Sequence, residues 1–186
     1  MLIRRERAGD IPAIDAVHRN AFAREYVNGA RLRGEPDDAP RAQADPPEVD
    51  LVHRLRSDAA WIPTLSLVAQ VRDRVVGHVC LTRASIGPFP VLALGPLGVL
   101  PERQGDGVGS ALMHAALGAA DALDEPLVGL LGSLDFYPRF GFVPGTRLHI
   151  APDEPSWTAH FQVRRLTTYE SGIVGEFRYA EPFYAL

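Results

Sequence analysis

Apolar residues recur at helical spacing at Ile11, Ile14, Val17, Ala21 and Phe22. With Asp10 as an N-cap and Pro12 tolerated in the first turn, this predicts a helix with one buried stripe. Leu2–Glu6 before it reads as a short strand. Residues 24–47 break the pattern, because Gly29, Gly34, Pro36, Asp37, Asp38, Pro40, Pro46 and Pro47 cluster there. That composition predicts a long loop, either a surface excursion or a lid over a substrate. A second helix is expected with Asp45 as N-cap, Pro46 at its first position and Glu48 at its third, its apolar face built from Val49, Leu51, Val52 and Leu55. Leu65–Val71 and Val75–Thr82 flank the polar Arg72-Asp73-Arg74 and read as an antiparallel hairpin.

Val91–Leu100 is a further apolar run, but Gly95, Pro96 and Gly98 interrupt it. Proline cannot donate to a sheet ladder, so a bulged or splaying strand is expected instead of a regular central one. A helix follows the Gly-rich segment 104–110, with Val108, Leu112, Ala115, Ala116, Ala119 and Leu123 on its buried face. Beyond Pro126 the expected order is a strand at Leu127–Leu131, one or two helical turns at Leu134–Phe140, and strands opening at Phe142–Val143 and at Phe161–Leu166. The aromatic tail from Val174 to Leu186 has the composition of a packed segment. The order β-α-α-β-β-β-α-β-α-β-β predicts an α/β fold, a mixed sheet carrying helices. No repeat or composition break divides the chain, so residues 1–186 are expected to form one domain.

Composition narrows the function. The 186 residues are 46% hydrophobic and 23% charged, ordinary for a soluble globular chain. All 19 basic residues are Arg, against 23 acidic ones, giving a net charge of −4. That balance argues against a dedicated nucleic-acid binder. Cys80 is the single cysteine, and the six His residues show no paired ligand spacing, so no metal site is expected. No apolar run reaches membrane-span length, and the start Met1–Arg7 lacks the core of a secretion signal. The expectation is a cytoplasmic protein without a membrane partner.

The richest segment for chemistry is Gln104-Gly105-Asp106-Gly107-Val108-Gly109-Ser110, where a strand turns into a helix. Glycines there remove side chains in front of the amide N–H groups at a helix start, where the helix dipole is positive, and the arrangement favours an anion such as a diphosphate. The same glycines also suit a tight turn with close helix–sheet packing. A Walker loop requires Lys, which the chain lacks, and the dinucleotide fingerprint fails at its third glycine.

Preceded by Val99-Leu100-Pro101, this segment resembles the acetyl-CoA signature of the GCN5-related N-acetyltransferases (GNAT). Downstream, Tyr137-Pro138-Arg139-Phe140-Gly141-Phe142 is similar to that family's Tyr-x-x-x-Gly-Phe. The order of elements agrees from first strand to last, and the C-terminal aromatic pattern looks like a subgroup of small bacterial members. The resemblance implies a GNAT-type domain with a central, mostly antiparallel sheet and a splayed strand pair. It implies acetyl-CoA as acyl donor, its arm beside Leu97, Gly98 and Val99 and its diphosphate on Gln104, Gly105, Asp106, Gly107, Val108, Gly109 and Ser110. Tyr137 matches the family tyrosine that protonates the departing thiolate. Leu130 stands where many members carry Asn, so that cofactor contact is absent.

The resulting expectation is direct acetyl transfer from acetyl-CoA to a primary amine of a small molecule or peptide, with a homodimer compatible. The base is unassigned: His78 and Asp135 are candidates, beside structural roles for each, and loss of the proton through water fits equally. Two other readings stand beside it. One is a non-catalytic acyl-CoA-binding or regulatory module, and the other a nucleotide-binding module unrelated to CoA.

Overall fold

The computed structural model describes residues 1–32 and 45–185, and for 24–32 the backbone alone. Among the described residues, alternating and continuous apolar runs form nine strands: β1 (Leu2–Arg5), β2 (Trp61–Val71), β3 (Arg74–Ile86), β4 (Phe89–Val99), β5 (Leu127–Leu131), β6 (Val143–Pro144), β7 (Ile150–Pro152), β8 (Phe161–Arg165) and β9 (Gly175–Arg178). The helices are α1 (Ile11–Leu32), α2 (Pro47–Ser57) and α3 (Val108–Asp121). The sheet runs β1-β2-β3-β4-β5-β8-β6, with β9 paired to both β3 and β7. Its ladders are antiparallel except β4–β5 and β7–β9.

The two faces of β3 are divided between helices, as the two-residue period of a strand requires. A Cβ on Gly77 would lie 3.0 Å from Leu112 of α3. A Cβ on Gly98, which pairs with His78, would meet His18 and Val17 of α1 instead. Leu51 and Leu55 of α2 join Cys80, one period further along β3, in a second apolar cluster. Full burial of such a Leu or Phe side chain contributes about 1.5–3 kcal/mol. Phe177 of β9 is fully buried and lies where a Cβ on Gly129 would be, only 2.5 Å from its ring. The C-terminal tail is thereby packed into the sheet.

Several expectations are corrected. α1 continues to Leu32, so residues 24–32 are helical where a loop was expected, and 33–44 lie outside the described residues. Helix formers such as Ala23, Arg24 and Glu25 extend the first helix past the single buried stripe. α2 begins at Pro47 with Pro46 as its N-cap, because Asp45 turns its carboxylate to Arg19. Asp10 sits in a short 3-10 turn ahead of α1, held by Arg4 and the Arg7 amide. β2 and the β3–β4 hairpin extend beyond the expected spans, with the turn at Gly87. Among the described residues, no helix is long and apolar enough to cross a membrane.

Candidate active site

The site arises where β4 and β5 part. Their parallel pairing is confined to Leu92 with Val128 and Ala93 with Gly129. On the other edge, β4 takes one residue more than β3 between the pairs Leu81–Leu94 and Val79–Leu97. That bulge falls on Gly95-Pro96, as proline's missing N–H requires. The Leu100 amide donates to Val76 of β3, 3.0 Å away. Strand alternation then directs the backbone groups of Val99 and Leu97 away from β3, towards the gap. The Val99 carbonyl accordingly accepts from Gln104 Nε2 at 3.1 Å.

Below the gap, Pro101–Arg103 make a 3-10 turn, and Gly105 and Gly107 follow at φ 84° and 81°. This left-handed backbone disfavours any side chain, and nothing lies within 4 Å of where either Cβ would stand. Gly107 is the N-cap of α3 and supplies no side-chain cap. The Ala111 amide donates to the Gly107 carbonyl at 3.0 Å, which leaves the amides of Val108, Gly109 and Ser110 without intrahelical partners. Gly109 has a packing role too, since its Cβ would come 3.4 Å from the Phe136 ring.

A cavity of about 440 Å³ opens onto this turn. Leu97, Val99, Gln104, Gly105, Gly107, Val108, Gly109 and Ser110 all line it, together with Phe22 and Arg139. Asp106 does not; its carboxylate is 3.3 Å from Arg103 Nε. Gly98 does not either, because it faces α1. The turn therefore fits the diphosphate of a coenzyme A: uncapped amides, open space before two glycines, and the Arg139 guanidinium nearby.

A second cavity of about 530 Å³ continues from the first past the β4 bulge. Tyr137 lines it from the turn Tyr137–Phe140, which Ser133 initiates by accepting the amides of Asp135 and Phe136 at 3.2 and 3.3 Å. Asp135, expected as a cap or base, is exposed and outside both linings. The Tyr137 ring packs edge-on to Phe136 and Phe142, at 5.0 and 5.9 Å. A Cβ on Gly132 would lie 2.3 Å from that ring. Gly132→Ala is expected to displace Tyr137 and cut turnover roughly 100-fold, as about 1 Å of misplacement does. Steady-state rates beside an unchanged far-ultraviolet spectrum check this.

The second cavity is completed by Phe22 of α1, Glu48 and Leu51 of α2, and Tyr179 and Phe183 of the tail. None of these carried a local sign of a site. Glu48 matched a helix-start pattern, and the tail aromatics read as core or rim.

His78 is fully buried beneath α1, outside both linings, in a polar chain that sequence reasoning did not anticipate. Its Nδ1 meets His18 Nε2 at 2.8 Å, and its Nε2 lies 2.9 Å from Ser66 Oγ and 3.3 Å from Glu6 Oε2. Ser66 donates to Glu6, and Arg56 Nε reaches the other Glu6 oxygen at 2.8 Å. Burial pushes the pKa of both imidazoles down, well down for His18, against an upward pull from Glu6 on both and from Asp10 on His78. Burial raises the Glu6 carboxyl, but hydrogen bonds from His78, Arg56 and Ser66 outweigh it and hold it at about 2. Cys80 is buried, and burial raises its thiol far above its usual range, so it supplies no thiolate.

The family model described as Acetyltransferase (GNAT) domain matches residues 63–144. An Escherichia coli K12 protein named as the N-acetyltransferase YjhQ is 34% identical over 143 residues, covering 73% of this chain and 79% of that one. The crystal structure of the E. coli GNAT family N-acetyltransferase YhbS in complex with CoA superposes with a TM-score of 0.80 at 27% identity, covering 98% of this chain and 91% of that one. A GNAT family acetyltransferase from Brucella melitensis, in complex with acetyl-CoA, gives a TM-score of 0.71 at 29% identity, with 98% and 97% of the chains covered.

Proposed function

The chain belongs to the GCN5-related N-acetyltransferase family and is an N-acetyltransferase, and from that premise we propose how its own residues perform the transfer. Acetyl-CoA, the cosubstrate, supplies the acetyl group as a thioester open to attack by an amine. The uncapped amides of Val108 to Ser110 and the Gly105–Gly107 backbone hold its diphosphate, with Arg139 adding positive charge. The Leu97 and Val99 backbone, facing the gap, anchors the arm. An N–H there also donates to the thioester oxygen as negative charge gathers on it, which favours the transition state over the ground state.

Tyr137 delivers its proton to the departing sulfur. A phenol, with an ordinary pKa near 10, stays protonated at neutral pH and can act as an acid towards a thiolate. The acceptor is a primary amine of a small molecule or peptide, entering through the second cavity, where Tyr137 stands opposite α1 and α2. One observation carries this reading: an uncapped helix start, with two glycines at positive φ, at the mouth of a gap between parting strands.

Thermal unfolding tests it. At about 100 times its dissociation constant, acetyl-CoA or CoA adds roughly 2.7 kcal/mol, a rise of about 5–10 °C for a chain of this length. ATP and NAD are expected to give none. Gly107→Glu places a carboxylate where the anion binds, in a backbone region that disfavours side chains, and the shift is expected to vanish while the variant stays folded. A shift with ATP or NAD in place of CoA would overturn the assignment.

A further inference from the structure

The polar chain under α1 ends beside the joint between the two cavities. Phe22, Leu97, Gln104 and Phe136 line both of them and so form the passage from one to the other. His18, fully buried, stands one helical turn before Phe22. Its ring lies on the Phe22 ring, with 5.8 Å between centroids and 19° between planes. On the other side of His18 stands β4. A Cβ on Gly98 would come 2.8 Å from His18 Nδ1 and 3.1 Å from its Cε1. Gly98 falls between Leu97 and Val99, so His18 is a spacer between the Phe22 wall and the strand that faces the gap.

Hydrogen bonds allow this spacer one orientation. Arg56 and Ser66 both donate to the ionised Glu6. With its one proton committed there, Ser66 Oγ accepts from His78 Nε2, 2.9 Å away. His78 Nδ1 is then the bare nitrogen of that ring and accepts from His18 Nε2 at 2.8 Å. His18 Nδ1 is left bare on the side of Gly98. An apolar ring at position 18 would fill the same space without burying a chain of polar groups, but nothing would fix its angle.

We propose that His18 is a positioning residue for the transfer: pinned by His78 and Glu6, it sets the gap between Phe22 and the Leu97 and Val99 backbone, and with it the place of the cosubstrate's arm. This rests on the transfer reading above, in which the arm lies along β4.

The test is calorimetric titration with CoA and with 3′-phosphoadenosine 5′-diphosphate, which keeps the diphosphate and lacks the arm. Gly98→Ala wedges β4 off the His18 ring and is expected to weaken CoA binding at least about tenfold. His18→Gln keeps an N–H for His78 and a good helix former but removes the flat ring, so CoA binding should weaken roughly threefold to tenfold. The armless ligand should stay within about twofold in both variants. In a Phe22→Ala background, His18→Gln should change CoA affinity by no more than about twofold, because the ring it supports is gone. A role confined to stability would lower Tm and leave the ratio of the two affinities untouched. Equal loss for both ligands, undiminished CoA binding in His18→Gln, or a full His18→Gln effect without Phe22 would each overturn the proposal. Variants without the split, in a protein that binds CoA, would defeat this inference alone. A parent protein that binds no CoA would defeat the transfer reading with it.

Discussion

Tyr137→Phe is expected to lower kcat by roughly 100- to 10 000-fold, the range for losing a positioned general acid. The dissociation constant of acetyl-CoA should stay within about twofold. Only the hydroxyl is removed, and the ring contacts with Phe136 and Phe142 at 5.0 and 5.9 Å are kept. The contacts expected to hold the cosubstrate lie at the start of α3 and along β4, away from the phenol. Acetyl transfer measured alongside direct binding of acetyl-CoA separates the two. If the chemistry is limited by departure of the sulfur, a donor with a better leaving thiol should recover part of the loss in the variant and gain little in the parent protein. A variant with turnover unchanged would remove Tyr137 from the mechanism.

Acidification should destabilise the fold from about pH 6.5 downward, well before carboxylates titrate. His18 and His78 are both fully buried, and their folded pKa values lie below the ordinary 6.5. The unfolded chain therefore takes up protons near pH 6.5 that the folded one refuses, and stability falls as pH drops. At pH 5 the cost is about 2 kcal/mol for each imidazole that stays neutral, so the pair contributes up to ~4 kcal/mol. Tm is therefore expected to fall between pH 7.5 and 5, with about 8–16 °C as the upper limit. Glu6 acts in a lower window. With its folded pKa near 2 against an ordinary 4.5, its contribution is complete above pH 4.5 and disappears as pH falls towards 2. His18→Leu should roughly halve the slope of stability against pH between 7 and 5, whatever its stability at pH 7.5. An unchanged slope would mean that the His18 imidazole is not held neutral in the fold.

The turn proposed to cradle the diphosphate was legible because it is local. Gly105, Gly107 and Gly109 report backbone conformation and close approach directly, and the interrupted strand announced the bulge at Gly95-Pro96. Tyr137 was legible only through its resemblance to a family motif, since nothing in its spacing distinguishes a catalytic phenol from a core one. His78 was visible as a titratable group in a strand, but its environment was not. Its partner His18 stands 60 residues away in the chain, and Glu6 comes from the first strand's end. Asp45 and Asp135 misled because a short acid before a helical run is a good cap by composition. Nearby groups claimed both roles, Asp45 being drawn to Arg19 and Ser133 taking the turn.

The sequence by itself determined most of the elements, with β7 and β9 missed, their order and the Gly-rich turn, because each depends on residues within one or two turns of one another. Tertiary structure decided the second cavity, the proposed entry for the acceptor. Phe22, Glu48, Tyr137 and Tyr179 come from four separated segments, and no local pattern records their convergence. Tertiary structure also decided where β4 leaves β5, whose parallel pairing is confined to Leu92 with Val128 and Ala93 with Gly129. Hydrophobic burial is non-directional, so an apolar pattern specifies that a face is covered and leaves open which residues cover it.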